Sequence, residues 1–330
     1  MRNYLIIFFL ILFIIPVGFK NISALDYEMN DAIDGFGWSM GLSLNEDRIY
    51  VSDGLYNQIL VFDKLENIFL ERISLEEKSC TGHIHGIEIM NQKMFTVKEN
   101  QNCISIFDLT GEFLYEFGKN GNGEGEFNGP QNLEIYQENI FVTDYGNNRI
   151  QVFDLTGEFL YEFGKNGNGE GEFNGPFDIE IYQENIFVTD SNNNRIQVFD
   201  LTGEFLYEFG KNGNGEGEFN GAVGIKINKN QIFVTDSGNN RIQIFDLTGK
   251  YVDQINENFN SPHQISLSEN YIYVLDTYNY QVKIFSNQNQ LEFQEDMSET
   301  NDFPFTIIII LSIIIIILVY TIFLRKKLVL

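Results

Sequence analysis

His83, His85 and His263 are the only histidines in this 330-residue chain, and Cys80 and Cys103 are its only cysteines. Imidazole nitrogens bind zinc, and a catalytic zinc takes three protein ligands with one position left open. His85 and His263 are therefore the candidate metal ligands, with His83 two residues before His85. Glu88, Glu134 and Glu180 recur at a spacing of 46 residues, with Lys226 next in the series. Carboxylates gathered on one surface offer hard oxygen to a cation such as calcium. Asp144/Arg149, Asp190/Arg195 and Asp236/Arg241 recur at the same period. Their repetition points to ion pairs that fix a turn. No nucleophile motif, catalytic triad or cofactor fingerprint is present, so no catalytic residue is assigned.

These residues sit on a repeat. The string DLTGEFLYEFGKNGNGEGEFNGP fills residues 108–130 and returns unchanged at 154–176. It returns again at 200–221 and breaks only at Ala222, where the other copies have Pro. Within each period IFVTD, RIQVFD and FLYEF alternate β-branched and aromatic residues between Gly, Asn and Asp clusters, and a fourth strand follows the Gly-rich loop. That is the pattern of short antiparallel strands. Four strands in about 46 residues make one propeller blade. No apolar stripe of helical spacing is present, which excludes a helical solenoid. The strand ending VFD, IFD or IFS recurs at Val61, Ile106, Val152, Val198, Ile244 and Ile284, so six blades are expected. Closing the ring buries apolar faces and removes open sheet edges.

The run GEFNGP, then LxI, then IFVTDxxNNRIQVFDxxGxF resembles the NHL repeat. The resemblance implies an all-β fold, a six-bladed β-propeller of four-stranded antiparallel blades, over residues 25–295. It implies little about activity, because propellers host unrelated functions. A Trp-Asp type of repeat fits poorly, because Trp38 is the only tryptophan. Met40, His85, Gln131, Phe177, Val223 and His263 share one place, the start of the innermost strand at the channel mouth. They differ while the framework around them is nearly copied. Peptide-amidating lyases are similar propellers with histidines around a central zinc, which implies a zinc site at His85 and His263. One blade stands between those two, so a wide separation is expected. The Gly-rich loop lacks both the phosphate-loop order and a calcium-loop pattern, and reads as the connection between blades. Asp53, Glu99 and Asp276 lack the Arg partner and are expected to be free. By register, Cys80 and Cys103 lie on one face of the second blade, and a disulfide between them is expected in an exported protein.

The termini suggest where the propeller works. Residues 1–24 have a charged start, an apolar run and a small-residue end, the form of a signal peptide. Residues 296–304 form a polar, acidic linker, and 305–324 are 20 nearly all-apolar residues, enough for a membrane helix. The tail 325–330 is basic and is expected in the cytoplasm, with the propeller outside. LDYEM at 25–29 and LEFQE at 291–295 both resemble the outer strand, and the second is expected to close the last blade. Without the termini, 16 basic face 47 acidic groups, a formal charge of −31. Such a surface repels nucleic acid. The expected function is a membrane-anchored extracellular module that binds a protein, peptide or glycan. A metal-dependent lyase or hydrolase and a structural cell-surface scaffold are the alternatives. Non-reducing digestion with mass spectrometry is expected to recover a peptide cross-linked through Cys80 and Cys103; two alkylatable thiols would rule the bridge out.

Overall fold

The computed structural model describes residues 27–37, 39–53, 56–75, 80 and 82–287. The expected signal peptide, linker, membrane helix and tail lie outside them, as does Trp38. Among the described residues no helix is long and apolar enough to cross a membrane.

Alternation of β-branched and aromatic residues builds six four-stranded antiparallel sheets. The first blade holds Leu42–Leu44, Arg48–Asp53, Gln58–Asp63 and Phe69–Ser74. The second holds Ile87–Met90, Lys93–Lys98, Cys103–Asp108 and Phe113–Phe117. The third runs from Pro130–Tyr136 to Phe159–Phe163, the fourth from Pro176–Tyr182 to Phe205–Phe209, and the fifth from Ala222–Asn228 to Tyr251–Ile255. First strands of neighbouring blades touch all the way round, so the ring is closed. The apolar cores lie between sheets: Phe141, Ile150 and Val152 of the third blade pack on Ile179, Ile186 and Val188 of the fourth.

The sixth blade corrects one expectation. Its strands Pro262–Leu267, Tyr271–Asp276 and Gln281–Asn287 are completed by the N-terminal Tyr27–Ile33, which takes the place expected for LEFQE. That strand fits on both sides. Its Ile33 enters the core shared with Leu42 of the first blade, and Tyr27 meets Phe233 of the fifth edge-on at 6.0 Å. Asn30 accepts from the Ser286 backbone N–H at 3.0 Å. The LEFQE segment lies outside the described residues.

Each Gly-rich loop is tied down by the blade it enters. In the third blade Arg149 Nε donates to Asp144 Oδ2 at 2.8 Å, and its Nη2 donates to the carbonyls of Gly123 and Glu126, both at 2.8 Å. Asp144 Oδ1 accepts from Asn128 N–H at 2.8 Å. Gln151 accepts from Gly125 N–H at 2.9 Å and donates to the Glu126 carbonyl at 2.8 Å. Arg195 with Asp190 and Arg241 with Asp236 repeat the arrangement at 2.8 Å. Phe127 of the loop is fully buried, and Gly118 with φ +91° lies against it; a Cβ there would stand 2.5 Å from the ring. Tyrosines latch successive blades: Tyr161 donates to the Leu201 carbonyl at 2.6 Å and Tyr207 to that of Leu247 at 2.5 Å. The first blade has Glu71 in that place, opposite Val61, and a groove of about 1100 Å³ opens there, beside Leu109.

The carboxylates expected to be free are not. Gln58 donates to Asp53 at 3.0 Å. Lys283 pairs with Asp276 at 2.9 Å and donates to the Glu257 and Asn258 carbonyls, so a lysine from another rung does the arginine's work. In the second blade the ladder position opposite Cys103 is Lys98, not Glu99. Buried Lys98 donates to the Gly82 carbonyl at 2.9 Å, and Cys103 is bonded to Cys80. Arg195→Ala would leave Asp190 buried without its cation and remove one donor from each of two loop carbonyls. We expect it to lower unfolding free energy by roughly 3–5 kcal/mol in urea titrations. The exposed Lys119→Ala, at one surface pair, is expected to leave the midpoint almost unmoved.

Candidate functional site

The inner strands carry a bulge that decides what enters the channel. In the third blade Pro130 pairs with Asp144 and Leu133 with Val142, so one extra residue lies between the two rungs. The same shift occurs at Pro176/Ile179, Ala222/Ile225 and Pro262/Ile265. A bulge breaks strict alternation and re-aims side chains. Two consecutive residues, such as Phe177 and Asp178, therefore fall at this end of the channel.

At the mouth, three rings from alternate blades meet. His85 and His263 have centroids 5.8 Å apart, His85 and Phe177 5.6 Å, and Phe177 and His263 4.9 Å. The wide separation expected for the histidines is thus corrected: the channel is narrow enough for side chains from alternate blades to touch. Tyr145 reaches Phe177 edge-on at 6.1 Å. Gln131 is buried and donates to the Gly129 carbonyl at 3.0 Å and to Glu99 at 3.3 Å. Val223 is buried beside them, Met40 is half-buried, and His83 is exposed and takes no part in the ring cluster. Burial lowers both imidazoles, His263 to about 3, with His85 adding to the effect there. Both are neutral at physiological pH. His85 Nδ1 lies 3.3 Å from the Gln131 carbonyl, while His263 Nδ1 has no hydrogen-bond partner.

Two imidazoles alone do not make a zinc centre. The third ring is Phe177, which cannot ligate, and among the described residues no group of three His, Cys, Asp or Glu is placed to hold one ion.

The opposite end is ionic. Lys226 Nζ stands 3.0 Å from Glu134 and 2.6 Å from Glu180, over a cavity of about 210 Å³ that Glu88, Ser43 and Ser266 also line. Ser43 donates to Glu88 at 3.3 Å. Lys226 takes the place a cation would have among these glutamates. Burial works to lower it, and the surrounding carboxylates more than offset that, so it stays charged. Burial first, then the neighbouring Glu134, pushes Glu88 up to about 8; burial does the same to Glu180. Glu88 thus has a folded pKa above its unfolded one. Its contribution to stability is full below about 4.5 and is lost as pH rises towards about 8. Thermal melts of Glu88→Gln are expected to exceed the parent at pH 9, with the gap closing towards pH 5.

The fold and channel define a closed six-bladed propeller whose two channel ends are chemically opposite. The chain belongs to the DUF5128 family, described as a 6-bladed beta-propeller, which matches residues 66–132, 127–185 and 174–310. No curated protein matches the sequence. Among solved structures it is similar to virginiamycin B lyase from Staphylococcus aureus, with a TM-score of 0.57 and 14% identity over 79% of this chain and 99% of that one. It is also similar to a streptogramin B lyase, with a TM-score of 0.56 and 16% identity over 79% of this chain and 87% of the other. At these identities the likeness is one of fold.

Proposed function

We propose that the chain is an exported, membrane-anchored propeller that binds a peptide or exposed protein segment at the mouth formed by Met40, His85, Gln131, Phe177, Val223 and His263. The observation that carries this reading is the ring cluster. Three aromatic side chains from three blades gather on the axis, in a repeat whose framework is otherwise nearly copied. Neutral imidazoles, Phe177, Val223 and Met40 offer an apolar, aromatic floor with one amide beside it. That chemistry suits an apolar or aromatic side chain better than a glycan, which asks for many hydrogen-bonding groups. The acidic exterior favours a partner with basic flanks. The membrane anchor and the outside location rest on the apolar run at 305–324 and the basic residues after it.

A second reading, a metal-dependent lyase or hydrolase on His85 and His263, draws on the unpartnered His263 Nδ1 and on the lyase names of the similar structures. Selection from a displayed peptide library separates the two. For the selected peptide, Phe177→Ala is expected to weaken binding roughly 10-fold or more, and Leu160→Ala on the outer rim to leave it unchanged. If no peptide is selected, or if Phe177→Ala binds as the parent does, the reading fails. About one zinc per chain, lost in His263→Ala, would favour the lyase or hydrolase.

A further inference from the structure

Tyr56, Tyr278 and Tyr280 are the only exposed tyrosines among the described residues, at 70%, 56% and 50%. All three lie on the turn between second and third strands, Tyr56 in the first blade and the other two in the sixth. These two blades are neighbours and share an apolar core across the seam where the ring closes. Their turns stand at the mouth end of the channel. Asp276, the last residue before the sixth-blade turn, pairs with Pro262, next to His263. Thr277 donates to the Ser39 carbonyl at 3.3 Å, and Met40 N–H donates to Ser52 Oγ at 3.4 Å. The segment that carries Met40 is thus held by both blades, close to these turns.

The repeat shows what these tyrosines displace. At the place of Tyr280 the other five blades have Asn57, Asn102, Asn148, Asn194 and Asn240, all with left-handed φ between +49° and +59°. Asparagine tolerates that region, and a bulky residue enters it at a cost. Tyr280 adopts it at φ +55°. The asparagine also accepts from a loop N–H of the next blade: Asn148 Oδ1 from Gly175 at 2.9 Å and Asn194 Oδ1 from Gly221 at 2.8 Å. At the place of Tyr56, Asn147 and Asn193 each donate to a loop carbonyl and to the buried aspartate of their blade. Tyrosine at both places gives up framework hydrogen bonds and leaves its ring in solvent. Strained backbone and exposed aromatic surface at one site are signs of a role outside the fold.

We propose that Tyr56, Tyr278 and Tyr280 form a platform beside the mouth that takes the basic flank of a bound peptide, with arginine and lysine side chains lying on the phenol rings. This deepens the peptide reading above and rests on it for the class of partner. Aromatic faces attract guanidinium and ammonium groups. Between its apolar termini the chain carries 16 basic against 47 acidic groups, so its field draws cations to the surface. The rings give those cations a fixed place. Tyrosine also supplies a large contact area with few torsions to freeze. The turns of the second, fourth and fifth blades carry no aromatic residue. The platform is therefore one-sided, and it gives the bound chain a direction: out of the mouth across the sixth and first blades.

The test uses the full chain and a capped hexa-arginine peptide, with binding followed by calorimetry. Tyr56→Asn, Tyr278→Asn and Tyr280→Asn are made singly and together; each puts back the framework's asparagine and leaves the protein's charge unchanged. Together they should weaken hexa-arginine roughly 10-fold or more. Tyr280→Asn alone should weaken it while raising Tm by roughly 2–4 °C, because asparagine suits the left-handed backbone. Hexa-arginine has no apolar side chain for the mouth's floor, so its binding reads the platform alone and stays legible if the library peptide fails. Unchanged affinity in the triple variant would overturn the proposal and leave the attraction to net charge. Lost affinity with a lower Tm in every variant would also overturn it, and would make the tyrosines part of the fold. A triple variant that keeps hexa-arginine but loses retention on an oligosaccharide array would overturn it in favour of a glycan.

Discussion

A carboxylate buried at the end of the second strand governs this molecule. Asp144, Asp190 and Asp236 are all fully buried, and each accepts from a loop backbone N–H and from an arginine. The arginine's Nη2 donates to two loop carbonyls, and its Nη1 to a side chain of the outer strand. Burial raises Asp144 and Asp190 despite the adjacent guanidinium. Desolvation therefore takes back much of what the ion pair gains, as it does for buried pairs in general. What the pair secures is geometry. A loop rich in glycine has many conformations, and the fork of Arg149 with the amide of Gln151 selects one by satisfying its carbonyls. With the loop held, the inner strand that follows starts at a defined point, and the channel residues follow from that.

The blades that lack the motif show what is required of it. The sixth uses Lys283 to reach Asp276 and the same kind of loop carbonyls from a neighbouring rung. The second gives up the carboxylate, buries Lys98, and adds the Cys80–Cys103 bridge. In each case a buried donor meets the carbonyls of an entering loop. The residue type varies, and the hydrogen-bonding demand does not.

Blade count, strand order and the position of the cores were legible because period-two alternation and exact repetition both survive in the residues. That His85, Phe177 and His263 share one place in the repeat was legible for the same reason. The burial of Asn132, Asp178 and Gln264 on the inner strands was not. Simple alternation does not foresee the extra residue that shifts the register there. The variation at that position (Gly, Gly, Asn, Asp, Gly, Gln) was the available signal. The meeting of His85 with His263 was missed because distance was judged by blades along the rim, whereas side chains from alternate blades converge across a narrow axis. The choice of closing strand turned on Asn30 and Tyr27, whose partners in the sixth and fifth blades become visible only in three dimensions.

Near-identity of the middle blades has a consequence for how the ring counts itself. Arg149, Arg195 and Arg241 make the same loop contacts, and Tyr115, Tyr161 and Tyr207 the same latch. Sliding the chain by one period there exchanges equivalent neighbours at little local cost. Outside their inner strands, the middle blades therefore carry almost no information about their own place. That information sits at the seam, where Glu71 interrupts the latch, Lys98 replaces a carboxylate, and the strand Tyr27–Ile33 accepts only the partner ending in Asn287. The odd blades act as punctuation, and they tell an otherwise periodic polymer where its circle ends.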